Sequence, residues 1–174
     1  MSQKKKHNTQ RSSFLDMYAS AKFRIGVMVE FPILIGGGIL GIIFSWAKYP
    51  LHPLANIGGI LLIVTGYIVH LGLAHNAFKK QGVRAHNDPA SMHKLVTGGI
   101  YSWIRHPGYL GLILIYFGLA LIFGIVWMLI PAAIFTVLTY MTAVKEEQFL
   151  LSHFGKQYEE YRNKVPWRFI PKVI

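Results

Sequence analysis

Three long segments without acidic, lysine or arginine side chains separate the charged parts of the chain; they cover residues 31–47, 49–78 and 106–144. An α-helix rises about 1.5 Å per residue and a bilayer's hydrocarbon core is about 30 Å thick, so the third segment is about twice as long as one crossing. We therefore expect four membrane-spanning helices. The first two spans fill the region 31–78, one of them short and the other over about 54–75. The last two form a tight hairpin that turns near residues 123–125.

Details at the ends of these segments refine the prediction. Pro32 would lie in the first turn of the first span, where proline is tolerated. Gly37 and Gly41 form a GxxxG pattern, which indicates packing against another helix. Residues 1–30 read as a basic tail followed by an amphipathic helix over about 13–30 on the cytoplasmic surface. A further helix is expected on the cytoplasmic side after the hairpin.

The composition agrees with this all-α integral membrane fold. The 174 residues are 53% hydrophobic and 14% charged, whereas soluble domains carry about 25% charged residues. The net charge of +11 has a topological explanation, because all of the 18 lysines and arginines except Lys48 fall on one side of the predicted topology. That distribution places both termini in the cytoplasm and makes a nucleic-acid partner unnecessary. The chain has no cysteine, so disulfides and thiolate chemistry are excluded, and no cleaved signal peptide is expected.

The candidate chemistry lies where the loop 79–105 enters the hairpin and where the segment 145–174 leaves it. A pocket between them would face the cytosol on one side and lipid on the other. Each residue there also has a plainer interpretation. Arg105 is a possible membrane anchor, Pro107 a helix start, and the nearby tyrosines an interfacial aromatic belt. The eight histidines show no metal-binding spacing. We expect His70 to be packed and hydrogen-bonded, and His75 is a weak functional candidate.

Two stretches together resemble a known family. They are HKLVTGGIYSWIRHPGYLG at 93–111 and, after the hairpin, EEQFLLSHFGKQYEEYRNKVP at 146–166. The pattern resembles the isoprenylcysteine carboxyl methyltransferases, which belong to a wider group of membrane methyltransferases that includes phospholipid N-methyltransferases. The resemblance covers about 79–174 and makes this the catalytic region. It implies S-adenosylmethionine as cofactor and a lipid-like or prenylated acceptor that enters from the membrane. It also implies a prokaryotic cell membrane, or the endoplasmic reticulum in a eukaryote, with the active site cytoplasmic. The Arg-His-Pro triplet alone is weaker, since sterol reductases share it.

The same resemblance implies the site residues. The cofactor-binding positions would be His86, His93, Lys94, Leu95, Val96, Tyr101, His106, Pro107, Gly108, Tyr109 and Glu146, with the run 93–96 acting largely through its backbone. Neighbouring residues on a helix point about 100° apart, so Glu146 and Glu147 cannot both face one cofactor group. The register selects Glu146, and leaves Glu147 to solvent, a basic residue or the acceptor. No catalytic residue is assigned; His106 and Glu147 are candidate bases if the acceptor is a protonated amine.

The acceptor is the least determined part of the prediction. Thr142 stands where the isoprenylcysteine enzymes carry an arginine tied to the substrate carboxylate, and threonine cannot form that charged pair. The leading interpretation is carboxyl O-methylation of an isoprenylcysteine-type acceptor. Phospholipid N-methylation is the alternative, and a non-catalytic membrane scaffold with a residual cofactor pocket is the second alternative. Arg168 is either a substrate-anion site or a headgroup anchor, and the anchor is favoured.

Overall fold

The computed structural model describes residues 26–48, 52–83 and 93–173, and the regular secondary structure within these ranges is helical. The elements in chain order are α1 (Val27–Ile43), α2 (His52–Tyr67), a π-helical segment (Ile68–His75), α3 (Asn76–Lys80), a 3₁₀ turn (Gly99–Ser102), α4 (Pro107–Phe123), a second 3₁₀ turn (Val126–Met128), α5 (Leu129–Phe154) and α6 (Lys156–Lys164). The α2, π-helical and α3 segments follow one another without a break.

Two helical stretches in the described ranges are long and apolar enough to cross a membrane. They are Pro53–Lys80, with a mean hydropathy of 2.0, and Val126–Phe154, with a mean hydropathy of 1.7. Only 17% and 33% of their most apolar windows are buried, so their apolar side chains mostly face outward, as lipid-exposed helices do. The helices α1 and α4 are apolar but shorter. The chain is therefore a helical membrane protein, and the four crossings remain a prediction.

The predicted hairpin is confirmed at the predicted turn. Helix α4 begins with Pro107 at its first position and ends at Phe123, and Gly124 follows with φ of 67°. Glycine adopts this left-handed conformation without a steric penalty, so it ends the helix and allows the chain to reverse. Helix α5 then continues well past Lys145 to Phe154, which places Glu146 and Glu147 on the same helix.

Helices α2 and α4 pack closely in antiparallel orientation through glycines spaced seven residues apart. A Cβ atom on Gly66 would lie 2.6 Å from the carbonyl oxygen of Gly111, and one on Gly118 would lie 2.8 Å from that of Gly59. No side chain fits between the two backbones at these points. This contact fixes α2, and the π-helical segment that continues it, against the start of α4.

Helix α1 packs against the turn of the hairpin. A Cβ atom on Gly37 would meet Met128, and one on Gly41 would meet Ile125, so the glycines of the GxxxG pattern pack against the hairpin turn and not, as predicted, against another helix. The amide of Val126 donates to the carbonyl of Ala47 at 3.0 Å. The end of α1 and the hairpin turn therefore lie at the same end of the bundle.

The start of α1 differs from the prediction. The helix begins at Val27, four residues before the expected boundary, so Pro32 lies inside it and not in its first turn. Glu30 was expected on a surface helix, but it is buried and its carboxylate accepts a hydrogen bond from the hydroxyl of Tyr116 on α4. That bond ties the first turn of α1 to α4 through Glu30, while Val27, Met28 and Val29 in the same turn stay exposed. The rest of the predicted amphipathic helix, up to residue 25, lies outside the described residues.

Candidate functional site

The C-terminal segment lies along the entrance to α4. The amide of Arg105 donates to the carbonyl of Trp167 at 2.9 Å, and the amide of His106 donates to that of Arg168 at 2.8 Å. The Arg105 guanidinium adds a bond to the carbonyl of Val165 at 2.8 Å. Phe169 is buried, with its ring centroid 6.0 Å from that of His106. The last part of the chain is thus one wall of the region where loop and hairpin meet.

Glu147 is the centre of a buried ion cluster in this region. Its Oε1 atom accepts from Arg105 Nε at 3.0 Å and from Arg168 Nε at 3.0 Å, while Oε2 accepts from Arg168 Nη2 at 3.1 Å. His106 Nε2 lies 3.2 Å from the same Oε1 atom. Charge-assisted bonds of this kind hold the tail, the loop and α5 together. The hydrogen bond to Glu147 also raises the pKa of Arg168, which keeps its guanidinium charged.

Glu146 faces a different set of groups. Its Oε2 atom lies 3.7 Å from His106 Nδ1, on the opposite side of the ring from Glu147. The ring of Tyr109 stacks on that of His106 with centroids 5.5 Å apart and 15° between the planes, and the Tyr109 hydroxyl is directed at the Glu146 carboxylate. The imidazole therefore lies between two carboxylates, of which Glu146 is the one that no arginine of the described ranges binds.

The loop 93–101 covers the C-terminal half of α5. The side chain of Leu95 is buried with Leu150, one turn beyond Glu146, and that of Val96 is buried against Phe154. The side chains of His93 and Lys94 are exposed. Among the described residues, the backbone N–H groups of residues 93–96 have no acceptor and their C=O groups have no donor. The cofactor role implied for this run stays a prediction.

Tyrosines close the region on the side of α6. The hydroxyl of Tyr161 donates to the carbonyl of Tyr101 at 2.8 Å, and the Tyr101 ring packs edge-on against Phe78. The Tyr158 hydroxyl is buried without a hydrogen-bond partner among the described residues. Burial raises the pKa of both Tyr158 and Tyr161, so their hydroxyls stay protonated and can act as donors.

The π-helical segment supports the start of α4 from the other side. His70 Nδ1 lies 2.9 Å from the carbonyl oxygen of Gly108, and the ring of His75 lies 4.6 Å from that of His70. A π-helix spaces such residues differently from an α-helix and is frequent near functional sites. His70 is hydrogen-bonded and packed, as predicted, and His75 lies beside it.

The structure thus brings His106, Tyr109 and Glu146 together, with Pro107 and Gly108 forming the first turn beneath them. His86 lies outside the described residues. From the sequence, Arg105 was a possible membrane anchor and a headgroup anchor was favoured for Arg168. In the structure both side chains bind Glu147, and these ion pairs were not assigned from the sequence. Basic residues inside otherwise apolar stretches, as in the sequence WRFI, were the available signal.

The chain is similar to a family model and to several proteins of known name. A model of the phospholipid methyltransferase family matches residues 54–157. The protein-S-isoprenylcysteine O-methyltransferase of Xenopus laevis is 29% identical over 109 residues, which are 62% of this chain and 38% of that protein. The corresponding protein of Schizosaccharomyces pombe is 39% identical over 75 residues, 42% of this chain and 32% of that protein.

A relative of another activity also matches. The Delta(14)-sterol reductase of Mus musculus is 30% identical over 127 residues, 65% of this chain and 29% of that protein. The chain spans less than half the length of these curated relatives. The similarity therefore covers only part of each relative, and the matches to the isoprenylcysteine O-methyltransferases confirm the resemblance that was found in the sequence.

Proposed function

The chain belongs to the phospholipid methyltransferase family, and we propose that it is a membrane enzyme that methylates a lipid-like acceptor with S-adenosylmethionine as methyl donor. The leading acceptor is the carboxylate of an isoprenylcysteine-type molecule, as in the relatives named isoprenylcysteine O-methyltransferase. The observation that carries the proposal is the position of Glu146, beside His106 and Tyr109 at the open end of the α4–α5 hairpin.

The chemistry of these groups fits the cofactor. S-adenosylmethionine carries an ammonium, a carboxylate, ribose hydroxyls and an adenine ring, and when bound it supplies a methyl group activated by a sulfonium. Glu146 would hold the ammonium, since in the described part of the chain it is the carboxylate of the pair without an arginine partner. The backbone groups of residues 93–96 and the orphaned hydroxyl of Tyr158 would meet polar groups of the cofactor. Such a mixture of a few polar groups and apolar walls is typical of cofactor sites.

The protein's contribution to catalysis is positioning and exclusion of water. A carboxylate acceptor needs no base, so Glu147 is free to bind Arg105 and Arg168 and thereby hold the tail against His106. The acceptor's hydrocarbon part would stay in the bilayer beside the outward-facing apolar side chains of the helices. We propose four crossings with the site and both termini on the cytoplasmic side, because the basic residues are distributed in that way.

Phospholipid N-methylation is the second candidate, and the family description favours it. Thr142 is buried and its hydroxyl donates to the Leu138 carbonyl at 2.8 Å, so position 142 offers no group for an acceptor carboxylate. A protonated amine must lose a proton before it can attack. His106 is then the candidate base, because Glu147 is bound by two arginines.

A labelling experiment separates the two candidates. Purified protein in lipid vesicles is supplied with methyl-labelled S-adenosylmethionine and either an S-farnesylcysteine derivative or phosphatidylethanolamine. Label in the farnesylcysteine product that is released by mild base, as from a methyl ester, supports carboxyl methylation. Base-stable label in the phospholipid supports N-methylation. Binding of S-adenosylmethionine with no label in either acceptor would contradict both and favour a non-catalytic scaffold.

A further inference from the structure

Two arginines share one carboxylate beside His106, at the edge of the proposed site. Arg105 and Arg168 both bind Glu147, so the cluster holds two positive charges against one negative charge. Glu146 lies on the far side of His106, and in the proposed function its charge is met by the cofactor ammonium. Within the protein, the cluster of Arg105, Arg168 and Glu147 therefore carries an excess of one positive charge.

The excess charge is located on Arg168. The Arg105 side chain is 5% exposed and is enclosed, whereas that of Arg168 is 28% exposed. Arg168 uses one edge of its guanidinium for Glu147, through Nε and Nη2, and donates from Nη1 to the Tyr140 hydroxyl at 3.3 Å. A guanidinium has five N–H groups. Two N–H groups thus remain for another acceptor, since no further bond joins Arg168 to the described part of the chain.

The guanidinium is held in a fixed position. It lies over the ring of Tyr140, 5.7 Å from the centroid, and its own backbone carbonyl is bound by His106. The next residue, Phe169, is buried between His106 and Tyr140, with centroid distances of 6.0 and 6.1 Å. A cation that is positioned beforehand in this way can bind a second carboxylate at little cost in side-chain entropy.

We infer that Arg168 determines acceptor specificity by binding the acceptor's carboxylate next to the methyl-transfer site. This inference rests on the proposed function and deepens it, because it supplies the cation that Thr142 cannot. Arg168 also lies beyond residues 54–157, the part of the chain that the family model matches. The role comes from the C-terminal segment of this chain, not from the shared helices.

The structural role of Arg168 is replaceable, which makes the inference testable. Without Arg168, Glu147 keeps its bonds to the Arg105 guanidinium. The backbone bond from His106 to the carbonyl of residue 168 does not depend on the side chain. We therefore expect Arg168→Gln to fold and to bind S-adenosylmethionine with an affinity within about threefold of wild type.

The test compares an acid with a matched neutral ligand. Binding of an S-farnesylcysteine derivative and of its carboxamide is measured by calorimetry in detergent; the two share one farnesyl group, so their affinities differ mainly through the charge. Wild type should bind the acid about ten- to hundredfold more tightly than the amide, the range expected for a charge-assisted bond. Arg168→Gln should lose this preference for the acid and keep its affinity for the amide. Arg168→Lys should retain part of the preference for the acid.

Lys172→Gln is the matched control, because it removes the same charge from an exposed position in the same segment. It should keep the full preference for the acid. The inference is wrong if Arg168→Gln retains the preference, or if it weakens acid and amide equally, as a purely structural residue would. A lysolipid phosphate is measured as a third ligand. The inference is also wrong if Arg168→Gln weakens the binding of this phosphate alone. Absence of methyl transfer with an intact, Arg168-dependent preference for the acid would overturn the proposed function but not this binding site.

Discussion

Glu146 and Glu147 are neighbours on α5 and lie on opposite sides of one imidazole. Glu146 is 3.7 Å from His106 Nδ1, and Glu147 is 3.2 Å from His106 Nε2. Because successive residues of a helix point in different directions, one carboxylate reaches the groups around Tyr109 while the other reaches Arg105 and Arg168. In the proposed function the pair therefore separates two tasks, with Glu146 binding the cofactor and Glu147 holding Arg105 and Arg168.

Removal of the Glu147 charge should destabilise the protein. Glu147→Gln leaves the buried Arg105 guanidinium without its carboxylate, and breaking a buried ion pair costs about 3–5 kcal/mol. We expect a clearly lower melting temperature in detergent. Glu160→Gln is the control, since its pair with Lys156 is exposed and such pairs contribute about 0–1 kcal/mol. Equal melting temperatures for the two variants would show that the ion cluster does not hold the site together.

The close packing of α2 on α4 should be sensitive to a single methyl group. In Gly66→Ala the new Cβ atom would lie 2.6 Å from the Gly111 carbonyl oxygen, so the helices must move apart. Overpacking of this kind costs about 1–3 kcal/mol. Gly58→Ala on the same helix is the control, because its Cβ atom would meet nothing within 4 Å. Thermal unfolding should show a loss for Gly66→Ala only, and a loss for both would indicate an effect of helix conformation and not of packing.

The positions of the helix ends make the topology testable. The loop at Ala47 contacts Val126 beside the hairpin turn, whereas the C-terminal segment contacts Arg105 at the other end of α4. Reporter domains fused after Lys48 and after Ile174 should therefore report opposite sides of the membrane, with the C-terminal fusion in the cytoplasm. A result that places both reporters on one side is incompatible with four crossings.

Much of the fold follows from the sequence because its causes are local. A run without charge that is twice the length of a crossing requires a turn, and Gly124 is the residue that makes the turn at 123–125 possible. The packing role of Gly37 and Gly41 follows in the same way from their spacing, but the hairpin turn as their partner does not. The seven-residue spacing of Gly59 with Gly66, and of Gly111 with Gly118, was also visible, but spacing on one helix does not identify the partner helix.

The parts that could not be predicted depend on contacts between distant segments. Glu30 and Tyr116 are separated by 86 positions and meet only because α1 packs against α4. In the sequence, Arg168 is a basic residue within an apolar stretch, which is typical of a membrane anchor. Only the fold brings it to Glu147. The separate orientations of Glu146 and Glu147 were predictable from helix geometry. The sequence left three options open for Glu147, namely solvent, a basic residue or the acceptor, and could not choose among them.

The most direct test of the central claim is the affinity for S-adenosylmethionine of Glu146→Gln, measured by calorimetry on protein whose ligand-free melting curve matches wild type. Loss of one charge-assisted hydrogen bond costs about 1.5–3 kcal/mol, so we predict roughly ten- to hundredfold weaker binding. Any Glu147→Gln protein that remains folded should bind within a few-fold of wild type. Wild-type affinity in Glu146→Gln, or a loss confined to Glu147→Gln, would contradict the assignment of the cofactor site to Glu146.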